Sequence, residues 1–309
     1  MNYMNLLTYP PRLRMLIEYS VSLLRKSEKL ALTMNPDGLI VGFSGGKDSQ
    51  VLLDIVRLSG VKYQARMTMT SIDPPEVLRF IRQNYPEVII DTPRITMRDL
   101  ILKKGMLPTR RIRFCCKDLK ESYYASSVVA VGVRAQESFQ RRESGAIRWI
   151  NHTGHYDIDG DYLVELPIEP SQYYGVEKLS TVHCVGSKDK VVIAPLFYWE
   201  ESDIWNYIRF KNLPTCSLYR EGFKRVGCIF CPMASVAAKR LQLERYPLFR
   251  DRYFLPIIRK LMERGKYRAF SSAEEVFYWW MSNKSAADFL KLAQRDNVEP
   301  LRDEEGREI

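Results

Sequence analysis

Apolar and polar positions fall in blocks whose period changes along the chain. From Arg12 to Leu32, residues Leu13, Leu16, Ile17, Val21, Leu23 and Leu24 recur at helical spacing and predict an amphipathic helix. Asn35-Pro-Asp-Gly38 reads as a turn. Leu39 to Phe43 is a short continuous apolar run, as in a buried strand. Beyond Lys47, Val51, Leu52, Ile55 and Val56 return to helical spacing, ending near Ser59-Gly60. Val61 to Thr70 predicts a second strand. Ser71-Ile-Asp-Pro-Pro-Glu-Val77 breaks it and starts a helix that runs through Asn84. Val88-Ile-Ile90, Val128-Val-Ala-Val-Gly132 and Lys190 to Ala194 predict further strands, with a helix over Thr96–Lys104. Pro195–Ile208, Tyr246–Arg264 and Ala273–Leu292 predict amphipathic helices. The last carries the cluster Phe277, Tyr278, Trp279 and Trp280, whose spacing suits a core, with a base-stacking surface as the alternative. Residues 151–190 are turn-rich and read as a β-hairpin or excursion; Glu299–Ile309 is a charged tail.

Strands alternating with helices predict an α/β fold, a doubly wound and mostly parallel sheet with a small helical C-terminal region. We expect an N-terminal helical segment at 1–35, an α/β domain at 36–210 and a helical subdomain at 211–309. A hydrophobic content of 46% is enough to form a core in 309 residues. The net charge of +10 suits an anionic partner, namely nucleotide, sulfate or nucleic acid, without choosing among them. No apolar run approaches membrane-spanning length and the N-terminus has no signal-peptide shape, so a cytoplasmic protein is expected. Its six cysteines then suit ligands, catalytic groups or buried small residues better than disulfides.

The first chemical candidate lies where the Leu39–Phe43 strand meets its helix. In Ser44-Gly-Gly-Lys-Asp-Ser49, Gly45 and Gly46 let the backbone approach an anion. The free N–H groups at the start of the helix bind it, Lys47 adds charge, and Ser44 and Ser49 add hydroxyls. The spacing is not that of a P-loop: Gly42 stands too close, and Asp48 follows the lysine. Gly132-Val-Arg134 leaves another strand at its carboxyl end, where ligands of parallel sheets bind, so both turns are expected to face one crevice.

The stretch Ser44–Ser49 resembles the Ser-Gly-Gly-x-Asp-Ser loop of the ATP pyrophosphatase superfamily. That group includes phosphoadenylyl-sulfate reductases, tRNA thiolation enzymes and the DNA phosphorothioation proteins DndC and SspD. The resemblance implies a loop that holds pyrophosphate or sulfate rather than a site of γ-phosphate hydrolysis. Asp73 and Glu76 stand where the reductases contact adenosine, although helix capping with Pro75 in the first turn accounts for them equally well. Gly132-Val-Arg134 with Glu137-Ser138 resembles the family's glycine–arginine phosphate-contact motif. The following Arg141-Arg142 is closer to DndC and SspD, or is a solvated helix face.

Gly227-Cys228-Ile-Phe-Cys231-Pro232 alone fits a redox pair, a zinc half-site or an iron–sulfur half-site. With Cys115-Cys116 upstream it resembles the [4Fe–4S] signature of adenylyl-sulfate reductases. Lys120 matches a family lysine, and Leu213–Gly222 matches the stretch before the second pair. The resemblance thus runs over roughly residues 36–232. Lys117, Lys120, Arg111 and Arg113 would offset cluster charge. DndC-type proteins use one upstream cysteine and one near Cys216, so the ligands are four of Cys115, Cys116, Cys216, Cys228 and Cys231; the same thiolates also suit zinc. Cys184 beside His183 reads as incidental.

Reductases of this family attack sulfate with a C-terminal tail cysteine, and no cysteine follows Cys231 here. The resemblance therefore points to a sulfur-transfer ATP pyrophosphatase. ATP would be split between its α and β phosphates, with Lys47, Asp48 and Arg134 as catalytic candidates and Mg²⁺ bridging phosphate oxygens near Asp48. A nucleic-acid group, DNA by preference, would be adenylated and its oxygen replaced by sulfur from a donor such as a cysteine desulfurase. The competing expectations are a reductase acting on adenylylated sulfate and a nucleotide-binding module without turnover.

Overall fold

The computed structural model describes residues 7–150, 180–182 and 190–295. The hairpin expected over 151–190 lies largely outside those residues, as do Cys184, His183 and the charged tail. The chain forms two compact units, each built from separate stretches. The first comprises Met1–Thr68, Pro75–Asp91 and Glu121–Arg220, and the second Met69–Pro74, Thr92–Lys120 and Glu221–Ile309.

The first unit is α/β. Among the described residues its strands are β1 (Leu39–Gly42), β2 (Tyr63–Thr68), β3 (Ile89–Asp91), β4 (Val128–Ala130), β5 (Ile147–Ile150), β6 (Ser180–Val182) and β7 (Lys190–Ile193), in the order β3-β2-β1-β4-β7-β5-β6. β1 pairs in parallel with β2 and β4, β2 with β3, and β4 with β7. β5 runs antiparallel to β7 and parallel to β6, so the sheet is mixed. The central strands are buried along nearly their whole length, which explains the apolar runs Leu39–Val41, Val128–Ala130 and Val191–Ile193.

Helix α1 (Pro11–Met34) packs on α2 (Lys47–Ser59), which in turn packs on the Glu201–Phe210 helix. Arg12 grips Asp203 with two hydrogen bonds of 2.7 and 2.8 Å, and the Tyr207 hydroxyl donates to Asp54 at 2.7 Å. The helix expected from Pro195 begins only at Glu201, because the chain first turns twice, with Phe197 N–H bonding Ala194 C=O and Trp199 N–H bonding Leu196 C=O. Helix α3 (Pro75–Asn84) closes this unit's described set of long helices.

The second unit is helical. It holds α4 (Met97–Lys104) and the helices Val236–Arg245, Leu255–Glu263, Ala273–Ser282 and Ala286–Arg295. Two expected single helices are interrupted. Tyr246–Arg264 starts at Pro247 and passes through a π-type turn at Arg250–Phe254, and Ala273–Leu292 breaks at Asn283, whose φ is +60°. Phe230, Phe254, Phe277 and Trp280 meet edge to face or tilted in the core, as the aromatic spacing predicted for Phe277 and Trp280. Among the described residues no helix is long and apolar enough to cross a membrane.

Candidate functional site

Strand β1 delivers the chain to the crevice between β1 and β4, where the strand order changes direction. Gly45 takes φ +70°, and a side chain there would meet Val77 at 2.9 Å, so the turn requires glycine. The loop braces itself internally. Ser44 N–H donates to Ser49 Oγ at 3.2 Å, Ser49 Oγ donates to Gly46 C=O at 2.9 Å, and Gln50 Nε2 donates to Gly45 C=O at 3.2 Å. Gly46 is the N-cap of α2 and has no capping side chain. The positive end of α2 is left for an anion, and the Tyr219 hydroxyl takes the Lys47 N–H at 2.8 Å, where a ligand oxygen would bind.

Two cations converge on this turn. Lys47 is 2% exposed and Arg134 is 3% exposed. Arg134 Nε donates to Asp48 Oδ1 at 2.7 Å, while Lys47 Nζ lies 3.5 Å from Asp48 Oδ2 and 3.5 Å from Glu201 Oε1. Buried cations need such partners. Gly132 lets β4 pass close to α2: a Cβ there would sit 3.1 Å from the Asp48 carbonyl carbon and oxygen. Arg134 is aimed by its own turn. Its N–H donates to Glu137 Oε2 at 3.1 Å, its Nη1 to Gln136 Oε1 at 3.0 Å, and Ala135 N–H to Phe197 C=O at 2.8 Å. Ser138 caps the next helical turn by accepting Arg141 N–H at 3.2 Å, and Arg141 pairs with Glu137. The structure thus brings together Ser44, Gly45, Gly46, Lys47, Asp48, Ser49, Gly132 and Arg134, with Glu137 and Ser138 behind them. Glu201 and Tyr219 also belong here, and neither was singled out by motif.

The cysteines give a second constellation, within the second unit. Cys115, Cys116, Cys228 and Cys231 line one cavity together with Thr70 and Lys120, walled by apolar side chains such as Met97, Phe230 and Trp280. The turn Cys228–Cys231 closes with Cys231 N–H on Cys228 C=O at 3.3 Å, and Ile229 N–H bonds Ile72 C=O at 2.8 Å. Phe230 sits at φ +54°, an uncommon conformation for a bulky residue, held by its N–H on Gln242 Oε1 at 2.8 Å. The Thr70 hydroxyl lies 3.4 Å from Cys228 Sγ. Asp73 accepts the Thr70 N–H at 2.6 Å and so shapes this loop. Cys216 lies in the first unit, fully buried at the start of the Ser217–Tyr219 turn.

The hydrogen bond with Cys116, followed by burial, pushes the Cys115 thiol up, and burial does the same to Cys231. Interaction with the neighbouring Cys228 sulfur raises the Lys120 ammonium above the ordinary lysine range. Among the described residues no three His, Cys, Asp or Glu side chains converge as for a single metal ion. Four soft donors spread around an apolar cavity, with one ammonium beside them, fit the chemistry of an iron–sulfur group.

Comparison with known proteins gives the chain's relatives and its family. The chain is 25% identical over 207 residues to the protein MJ0066 of Methanocaldococcus jannaschii, covering 63% of this chain and 36% of the relative. It therefore spans about a third of that protein's length, and 51% of a second relative from the same organism. It is 23% identical over 217 residues to an adenosine 5'-phosphosulfate reductase of Geobacillus kaustophilus, covering 68% of this chain and 79% of that one. The crystal structure of a phosphoadenylyl-sulfate reductase from Candida auris, a phosphate complex, aligns at 17% identity and a TM-score of 0.41, covering 68% of this chain and 87% of that one. Residues 38–234, which contain both constellations, match the phosphoadenosine phosphosulfate reductase domain, and the chain belongs to that family.

Proposed function

We propose that this chain is a sulfur-transfer ATP pyrophosphatase, which activates a nucleic-acid group by adenylation. The observation that carries the reading is the pair of buried cations, Lys47 and Arg134, meeting over Asp48 at the uncapped start of α2. Such a site suits oxygens that gain negative charge as a phosphoanhydride breaks. The acceptor oxygen attacks the α-phosphorus, the bond from that phosphorus to the bridging oxygen breaks, and pyrophosphate leaves into the Ser44–Ser49 turn. Lys47 and Arg134 balance its charge, and the Lys47 N–H exchanges the Tyr219 hydroxyl for a phosphate oxygen. Mg²⁺ would be carried with the nucleotide, near Asp48. Glu137 keeps Arg134 in place, and Ser138 caps the turn that follows. A sulfur nucleophile then displaces AMP from the activated group.

A [4Fe–4S] cluster held by four of Cys115, Cys116, Cys216, Cys228 and Cys231 would supply thiolate-bound iron for handling sulfur. The cavity shared by Cys115, Cys116, Cys228 and Cys231 supports that set, and the raised Cys115 and Cys231 thiols mean that loading releases protons. The name of the Geobacillus relative favours a second reading, reduction of an adenylylated sulfate to sulfite. Pyrophosphate release from ATP by anaerobically purified protein supports the first reading, and sulfite release with a thiol reductant supports the second. Tight nucleotide binding with neither product would leave only a binding module. Zinc in place of iron and sulfide would defeat the cluster assignment.

A further inference from the structure

The net charge of +10 is unevenly distributed. Basic and acidic residues are equal in number in the first unit, so the whole excess belongs to the second. Within that unit the turn before the cysteine pair stands out. Arg110, Arg111, Ile112 and Arg113 are all exposed, Ile112 by 50%, and none of the three arginines forms an ion pair among the described residues.

The turn is rigid. Thr109 N–H bonds Ile112 C=O at 3.1 Å, and Ile112 N–H bonds Thr109 Oγ1 at 3.0 Å. Its base is anchored from the helical core: Trp280 Nε1 donates to Pro108 C=O at 2.6 Å, and Leu107 N–H donates to the Tyr267 hydroxyl at 2.7 Å. Arg110 also adds to the positive field felt by buried Lys239. An unneutralised cationic turn costs self-repulsion, and an anionic partner relieves it. Fixing the backbone of the turn in advance lowers part of the ordering cost of binding.

Resting on the nucleic-acid reading above, we infer that the Thr109–Arg113 turn docks on duplex DNA, with its arginines on backbone phosphates and Ile112 against the minor groove. Arginines beside a single protruding apolar side chain match the chemistry of minor-groove recognition. The A-form RNA duplex has a major groove too deep and narrow for side chains and a shallow minor groove, a poorer seat for a narrow turn. One isoleucine offers little apolar area to a lipid surface.

The test is fluorescence anisotropy on full-length, anaerobically purified protein with a labelled DNA duplex, across a salt series. RNA duplex of the same sequence and phosphatidylserine-containing vesicles serve as competitors. The triple variant Arg110→Ala/Arg111→Ala/Arg113→Ala should raise Kd at least tenfold and flatten the log–log salt slope by about 0.9 for each phosphate that is no longer neutralised. Ile112→Ser should weaken binding without changing the slope, and Lys260→Ala, an exposed control in the same unit, should change neither. Melting temperature and iron content report folding, and the single Arg111→Ala variant serves if the triple variant misfolds. Unchanged affinity and slope in the arginine variants, no DNA binding by the parent protein, or preference for RNA or vesicles would each overturn the inference. Pyrophosphate release is measured in parallel without DNA. If it is absent while turn-dependent DNA binding persists, the ATP reading fails and this one stands.

Discussion

Asp48 is one carboxylate serving two buried cations, and that arrangement decides what substitutions at this turn do. Lys47→Ala should reduce pyrophosphate release at least a hundredfold, since a missing charge at a developing anion costs about 3 kcal/mol. Iron content should be unchanged, because the cysteine cavity draws no residue from the turn. A steady-state pyrophosphate assay beside iron analysis checks both halves. Gly132→Ala tests the close passage of β4: the new Cβ would press on Asp48 main chain, which cannot rotate away. We expect a loss of about 1–3 kcal/mol in urea unfolding and weaker nucleotide binding. At this scale the loop was readable because its signal is local: strand, glycine turn and helix are contiguous. Tyr219 and Glu201 were not readable, since each reaches Lys47 from a distant part of the chain through tertiary packing alone.

At the scale of elements, the Val236–Arg245 helix carries a charge into the core. Lys239 is 1% exposed, with its Nζ on Asn283 Oδ1 at 2.7 Å and Met281 C=O at 3.3 Å. Burial, then the Arg110 charge, pulls its ammonium down from 10.5 to about 8. Between those values the unfolded chain holds the proton that the folded chain has lost, so stability should rise with pH from about 8 to 10.5. Below 8 both states are charged and the full cost, on the order of 3 kcal/mol, is felt. Lys239→Met should raise the melting temperature at pH 7 and remove that slope; an unchanged pH profile would refute the assignment. Cys228→Ser should lose the brown colour and iron while the protein stays soluble, as absorbance and elemental analysis would report. The periodicity predicted helices over Tyr246–Arg264 and Ala273–Leu292 better than their continuity, and it missed the Val236–Arg245 helix, in which only Lys239 and Gln242 are buried and no apolar stripe forms. The π-type turn at Arg250–Phe254 and the stop at Asn283 leave no mark in apolar spacing, and in β5 (Ile147–Ile150) Arg148 interrupts the apolar run that marked the other short strands.

For the whole molecule, the order of segments matters. The second unit takes Met69–Pro74 and Thr92–Lys120 from the middle of the chain and the rest from after Arg220. A sequence scan sees contiguous blocks, so this interleaving lay beyond its reach, whereas the α/β class followed from strands and helices in alternation. A fragment ending at Arg220 should keep the sheet's helical partners yet bind no iron and aggregate, because the apolar side chains beside Cys115 lose Phe230, Phe254 and Trp280; size-exclusion chromatography with iron analysis would show it. Synthesis from the N-terminus also releases Cys115 and Cys116 from the ribosome well before Cys228 and Cys231 exist. Assembly of the four-thiol cavity therefore waits until the later pair has been made, and the early pair stands without its partners during that interval.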